Sequence, residues 1–143
     1  CFTGFSRFSS DIQKTTQKDM ADKERQLLEM LSLVDEAERV LTTKTDLNEF
    51  GRLLDYTWKL KRGISSGIST DSIDGLYAKG IEAGALGGKL LGAGGGGFLL
   101  FYVEEDKREA VAKAMEDLLY VPFQFENSGT RVIHYTAEMY EKR

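Results

Sequence analysis

The 143-residue sequence holds one cysteine, one proline, one histidine and one tryptophan. With Cys1 as the sole cysteine there is no disulfide framework and no metal site built on cysteine pairs; a reducing cytoplasm is compatible with it. Basic residues are not in excess. Nineteen Lys and Arg stand against 23 Asp and Glu, a net charge of −4, which argues against general nucleic-acid binding, where a basic field is expected. No apolar run approaches the roughly 20 residues of a membrane-spanning helix. The expected partners therefore include neither nucleic acid nor a membrane. His134 has no Cys, Asp or Glu at ligand spacing in its segment, so a structural role fits it better than a metal or a catalytic proton. The acidic run Glu104-Glu-Asp106 stands at a helix start, where negative charge suits the helix dipole.

What is present is the material of one soluble domain: 41% of the residues are hydrophobic and 29% charged, ordinary values for a globular chain of this length. The opening Cys1-Phe-Thr-Gly-Phe-Ser-Arg7 reads as a strand already under way, and we expect the chain to be a piece of something longer. Residues 23–42 carry Leu27, Leu28, Leu31, Val34, Ala37, Val40 and Leu41 at helical spacing. Thr45 and Asp46 then offer an N-cap, with Glu49 placed as in a capping box. The helix that follows aligns Leu47, Phe50, Leu54, Trp58 and Lys61 on one stripe, and Gly63 with the Ser/Gly-rich stretch to Thr70 ends it. A third helix spans about 71–83, on Ile73, Leu76, Tyr77 and Ile81.

The second half changes character. Residues 86–91 are short and apolar, and 97–103 read as a strand. Residues 105–119 read as a helix with Val111, Ala114, Met115 and Leu118 inward. Residues 121–125 alternate with period two, and a last strand is expected over 131–136 after the Asn127-Ser-Gly129 turn. Pro122 fits an edge strand, since it cannot donate to a ladder. The order indicates an α+β sandwich, an antiparallel sheet covered by helices.

Eight of the fifteen glycines fall within residues 84–97. A flexible linker would be Gly/Ser-rich between polar flanks; here Leu86, Leu90, Leu91 and Ala93 interleave with the glycines, and a helix and a strand bracket them. Gly92-Ala-Gly-Gly-Gly-Gly97 satisfies G-x-G-x-x-G literally, but the dinucleotide fingerprint must open a helix, and Phe98-Leu-Leu-Phe-Tyr-Val103 is a strand. The Walker A pattern fails at both ends: Ala83 stands where its first glycine belongs and Leu90 where Ser or Thr should follow Lys89. A protein-kinase glycine loop sits between strands, yet no V-A-I-K, H-R-D or D-F-G segment accompanies this one. A strand–glycine loop–strand unit carrying Lys89 remains. Its unshielded N–H groups can form an anion-binding concavity; alternatively, the glycines only permit tight packing. Composition does not separate the two.

Gly87-Gly-Lys-Leu-Leu-Gly-Ala-Gly-Gly-Gly-Gly-Phe98 resembles the third motif of the GHMP small-molecule kinases. Trp58-Lys-Leu-Lys-Arg62, Ile73-Asp-Gly-Leu-Tyr77, the 84–98 run and Thr3-Gly-Phe-Ser-Arg7 together resemble the sugar kinases of that superfamily acting on D-glycero-D-manno-heptose 7-phosphate. The resemblance covers nearly the whole chain but only the C-terminal half of such an enzyme. It implies a ferredoxin-like α+β sandwich over residues 1–143, with ATP and Mg2+ bound mainly by an N-terminal domain that carries the phosphate loop and the catalytic acidic residue. It implies a phosphoryl transfer from ATP to the anomeric hydroxyl of a sugar phosphate, in the cytoplasm, on a route to surface polysaccharide. The fragment alone is then expected to be inactive, with no catalytic residue and no metal ligand of its own, and a homodimer is left open. Gly92, Gly94, Gly95, Gly96 and Gly97 are the positions that support the phosphate loop, with Lys89 in the same motif.

Three cations are candidates for the substrate's phosphate. Lys61 extends an apolar stripe one turn beyond Trp58, Arg62 follows it, and Arg7 ends the first strand; for Lys61 the plainer alternative is a packed stem with its amine in water. Ser65, Ser66, Ser69 and Thr70 could bond sugar or phosphate, or simply cap the third helix and close a turn.

Overall fold

The computed structural model describes residues 1–5, 23–132, 134 and 135. Three helices come first: α1 (Glu24–Thr42), α2 (Asn48–Arg62) and α3 (Asp71–Glu82). They are followed by β1 (Ala85–Leu91), β2 (Phe98–Val103), a 3₁₀ turn (Glu105–Lys107) and α4 (Arg108–Ala114). β1 and β2 pair antiparallel, Leu91 opposite Phe98 and Lys89 opposite Leu100, with an irregularity between Ala85 and Gly87. The α+β class read from the sequence is the class observed, an antiparallel sheet covered by helices.

The core forms where the helical stripes meet the inward side of the hairpin. Trp58 from α2, Ile73 and Tyr77 from α3, Ile64 and Ile68 from the connecting turn, and Leu90 and Leu99 from the strands make one buried cluster. Fully burying each such side chain contributes about 1.5–3 kcal/mol. Tyr77 stacks on Phe101, with ring centroids 5.7 Å apart. Its hydroxyl donates to Asp55 Oδ1 at 2.8 Å, and Lys59 Nζ lies 2.6 Å from the other carboxylate oxygen. α1 is tied to α2 by the Gln26 amide, which donates to the Leu60 carbonyl at 2.7 Å.

Beyond β2 the sheet continues, among the described residues, only as isolated antiparallel bridges, Phe2 with Phe98 and Phe2 with Leu119. Of the strand expected over residues 1–7, Phe2 alone bridges, residues 1–5 form no continuous strand, and Ser6 and Arg7 lie outside the described residues. Three other expectations need correction. The helix over 105–119 is shorter: it starts as 3₁₀ and ends at Ala114, where the Met115 N–H is shared between the carbonyls of Val111 and Ala112 and the last turn tightens. Val111 and Met115 are nevertheless buried, as the spacing required. Residues 121–125 form no strand, so Pro122 has no edge to occupy; Phe123 and Phe125 are 63% and 92% exposed and pack on one another at 5.9 Å. Alternation cannot make a strand where no ladder partner lies alongside among the described residues. The described part of 131–136 is likewise irregular, and Ile133 and Thr136 lie outside the described residues.

The capping box at α2 also differs. Asp46 Oδ1 accepts from Asn48 N at 3.0 Å, but the N-cap is Leu47, without a side-chain cap. Glu49 pairs forward with Arg52 instead of reaching back. At α3 the reading holds: Thr70 is the N-cap and its hydroxyl accepts from Ile73 N at 3.3 Å.

Candidate functional site

The glycine run divides at Leu91 into two parts with different tasks. Its first part lies in β1 and serves packing. A Cβ on Gly87 would sit 1.9 Å from the Gly51 carbonyl oxygen of α2, and one on Gly88 would sit 2.4 Å from the Leu100 carbonyl oxygen. Gly51 answers from the helix side, where a Cβ would meet the Tyr102 ring at 2.7 Å. Helix and strand approach closely because neither carries a side chain there, so the packing alternative applies to this half of the motif.

The second part, residues 92–97, is the turn between β1 and β2, and here backbone conformation is decisive. Gly92, Gly94, Gly95 and Gly97 all have positive φ, from +71° to +122°, a region that costs other residues roughly 1–2 kcal/mol each. The loop is gripped on both sides. Gly95 N donates to the Ile68 carbonyl at 2.9 Å, and a Cβ on Gly94 would meet Ile68 Cα at 2.7 Å. On the opposite side Gly97 N donates to the Phe5 carbonyl at 2.9 Å. The Gly97 carbonyl accepts from both Thr3 N at 2.8 Å and Thr3 Oγ1 at 2.9 Å. These bonds consume the amides of Gly95 and Gly97. The N–H groups of Ala93, Gly94 and Gly96 donate to no described residue, and successive free amides in a left-handed turn make a concavity for an anion.

Two lysines stand at the entrance to this loop. Lys61, in the last turn of α2, donates from Nζ to the Gly92 carbonyl at 2.8 Å. Burial, together with the nearby charge of Lys89, pulls its ammonium below the ordinary lysine range. Lys89 follows Gly87 by two residues, so its side chain leaves β1 on the side that faces α2. Neither lysine makes an ion pair among the described residues. A snorkelling stem alone does not describe Lys61, whose amine is held against the loop.

Arg62 goes elsewhere. Its guanidinium pairs with Asp74 at 2.7 Å and lies over the Trp58 ring, 5.9 Å from the centroid. Ser69 Oγ donates to the same Asp74 oxygen at 2.7 Å, so Arg62, Ser69 and Asp74 brace the turn that holds Ile68 against the glycine loop. In that turn Ser65 is buried, and its hydroxyl has no hydrogen-bond partner among the described residues. Arg7 lies outside the described residues. His134 is exposed on the irregular tail. Among the described residues no group of three His, Cys, Asp or Glu side chains could hold a metal ion, and no helix is long and apolar enough to cross a membrane.

Sequence reasoning missed Thr3, Ile68 and Asp74 as the loop's supports. Thr3 Oγ1 and Gly97 are 94 residues apart, and no local pattern announces such a contact. Asp74 carried a weak signal, an acidic residue in the first turn of a helix directly after a basic helix end.

Comparison with known proteins agrees with this geometry. The profile described as GHMP kinases C terminal matches residues 33–121. The chain is 30% identical over 134 residues to the D-glycero-alpha-D-manno-heptose 7-phosphate kinase of Campylobacter jejuni, covering 91% of this chain and 39% of that protein. It is also 30% identical over 121 residues to the mevalonate kinase of Pyrococcus abyssi, covering 80% of this chain and 36% of that protein. The crystal structure of L. major mevalonate kinase in complex with R-mevalonate superposes with a TM-score of 0.68 at 25% identity, over 81% of this chain and 36% of that one. The chain thus spans well under half the length of the relatives it matches. With more than half of its residues inside the family profile and its glycine loop built between two strands, it belongs to the GHMP kinases, as a C-terminal domain of that family.

Proposed function

We propose that this chain is the C-terminal half of an ATP-dependent kinase that phosphorylates a sugar phosphate, a D-glycero-D-manno-heptose 7-phosphate, at its anomeric hydroxyl. The observation that carries the reading is the clamped loop of residues 92–97, with its unengaged amides and the lysine at its entrance. Phosphoryl transfer asks a protein mainly for positioning and for neutralisation of charge around the transferring group, and free N–H donors in a rigid turn supply both. The loop suits a phosphate, so ATP is the expected donor, seated between this domain and an N-terminal one. Magnesium, as the nucleotide's counter-ion, is expected mainly on the N-terminal domain. The heptose assignment draws on the Campylobacter enzyme, similar over 91% of the chain.

A second reading has support of its own: mevalonate kinases match the chain at 28–30% identity over 80% of its length. The choice is a matter of acceptor and one experiment makes it. The complete reading frame containing this chain is purified and incubated with ATP and, separately, with heptose 7-phosphate, an unphosphorylated heptose, L-fucose and R-mevalonate. We expect ADP release and a 1,7-bisphosphate product with the heptose 7-phosphate. Turnover confined to mevalonate would replace the acceptor, and turnover with none of them would overturn the kinase reading.

A further inference from the structure

We propose that Lys61 and Lys89 together form a receptor for a phosphate monoester at the entrance of the glycine loop, and that this pair makes the enzyme select a phosphorylated acceptor. The inference rests on the kinase reading above and adds to it the group that is recognised and the residues that recognise it.

The geometry narrows the role of Lys61. Its Nζ is fixed by the Gly92 carbonyl at 2.8 Å, and a Cβ on Gly92 would meet nothing within 4 Å. The amine is therefore held at the edge of the loop, beside a residue with open space at its α-carbon. An ammonium group has three N–H donors, and one goes to that carbonyl. Lys89 reaches the same region from β1, and burial first, with the charge of Lys89 second, disfavours protonation of Lys61. Cations nearby on α2 and α3 have carboxylate partners: Lys59 has Asp55, Arg62 has Asp74, and Lys79 approaches Asp117 at 4.0 Å. Lys44, Arg108 and Lys113, which have none among the described residues, are exposed to water. Two half-buried lysines whose charges interact, with no carboxylate partner among the described residues, are costly unless something brings negative charge. A dianionic phosphate monoester offsets both and accepts from both, and hydrogen bonds to charged groups are strong enough that losing one weakens binding about tenfold. A neutral hydroxyl or a single carboxylate neutralises at most one of the pair. Phosphate on the acceptor and phosphate on the nucleotide share this chemistry, and the test separates them.

The experiment uses the complete reading frame. Lys61→Met and Lys89→Met keep the stems and remove the charges; Lys61→Arg restores a charge and Lys79→Met is the control for charge lost elsewhere. Binding of inorganic phosphate, followed by phosphorus NMR and calorimetry without turnover, is expected to weaken about tenfold in each single variant and about a hundredfold in the double variant. In steady state the KM for heptose 7-phosphate should rise by similar factors while kcat changes less than threefold, with partial recovery in Lys61→Arg. A rise in the KM for ATP instead would place the receptor on the nucleotide and sink the claim of acceptor selection. Unchanged phosphate binding in the double variant overturns the receptor altogether, even if the enzyme remains an active sugar-phosphate kinase. If phosphate binding is lost as expected but no acceptor turns over, the receptor stands and the kinase reading falls.

Discussion

Replacing Gly87 with alanine adds one methyl group to β1, at the tightest contact of the domain. The new Cβ would lie 1.9 Å from the Gly51 carbonyl oxygen and 2.9 Å from the Asp55 amide nitrogen, both backbone atoms of α2. No rotamer can relieve it. Ordinary contact needs about 3.5 Å, so the helix must withdraw by roughly one and a half ångström or the strand must bend. Withdrawal would pull Trp58, which has no exposed surface, off the cluster it shares with Leu90 and Tyr77. Overpacking of this kind costs typically 1–3 kcal/mol, occasionally more, and contact with backbone atoms of one helix, which no side-chain movement relieves, puts Gly87→Ala at the upper end, about 3 kcal/mol. A domain of this size loses about 3–4 °C of midpoint per kcal/mol, which gives a fall of about 10 °C. Because Trp58 is the only tryptophan and sits at the affected interface, its fluorescence during thermal and urea unfolding of the chain reports the change directly. A midpoint lowered by less than about 2 °C would show that α2 does not seat on β1 in this way, and with it would fall the packing role of the first half of the glycine run.

Two further predictions use the same structure in opposite directions. Gly75 lies exposed inside α3, with nothing within 4 Å of the methyl group an alanine would add, so Gly75→Ala should stabilise the domain by about 0.5–1 kcal/mol; a lower midpoint refutes it. Burial first, and then the bond to the Asp55 carboxylate, hold the Tyr77 phenol well above the ordinary tyrosine range. The unfolded chain loses that proton near pH 10, so above this pH it binds fewer protons than the folded state and stability falls as pH rises. Lys61, held below the ordinary lysine range, acts with the opposite sign, and the test is therefore a difference: Tyr77→Phe should flatten the alkaline loss from about pH 10 upward, where the unfolded phenol ionises and the folded one keeps its proton. An unchanged slope defeats the claim.

Helices were legible where an apolar stripe recurred over three turns or more, as in Phe50–Trp58 of α2, where the stripe runs into the core. In α1 the spacing gave the helix, but of its stripe only Val40 is fully buried, while Leu28, Leu31, Val34 and Leu41 are exposed among the described residues. The β1–loop–β2 unit was legible for a different reason, as its glycines exclude a helix and the apolar runs beside them demand a sheet. Residues 121–125 mark the limit. Their alternation satisfies the geometry of a strand, but a strand is a property of two segments, and nothing in Val121-Pro-Phe-Gln-Phe125 says which segment lies beside it. The candidate site was legible in the same uneven way: the loop and Lys61 came from motif and stripe, while the grip of Thr3 and Ile68 came only with the tertiary structure.

That grip has a consequence for the order in which the molecule can become competent. α2, α3 and the hairpin are neighbours along the chain, so their contacts close short loops. The bonds from Thr3 and Phe5 to Gly97 close a span of more than ninety residues, and the entropy of closing a loop grows with its length. Contacts of such separation form late. Until they do, the 92–97 turn is held on one side alone, and a molecule whose helices are complete but whose Thr3 and Phe5 contacts have yet to form would have its core without the final shape of this loop. The clamped loop is in this sense a signature of the finished fold, the last feature to be set.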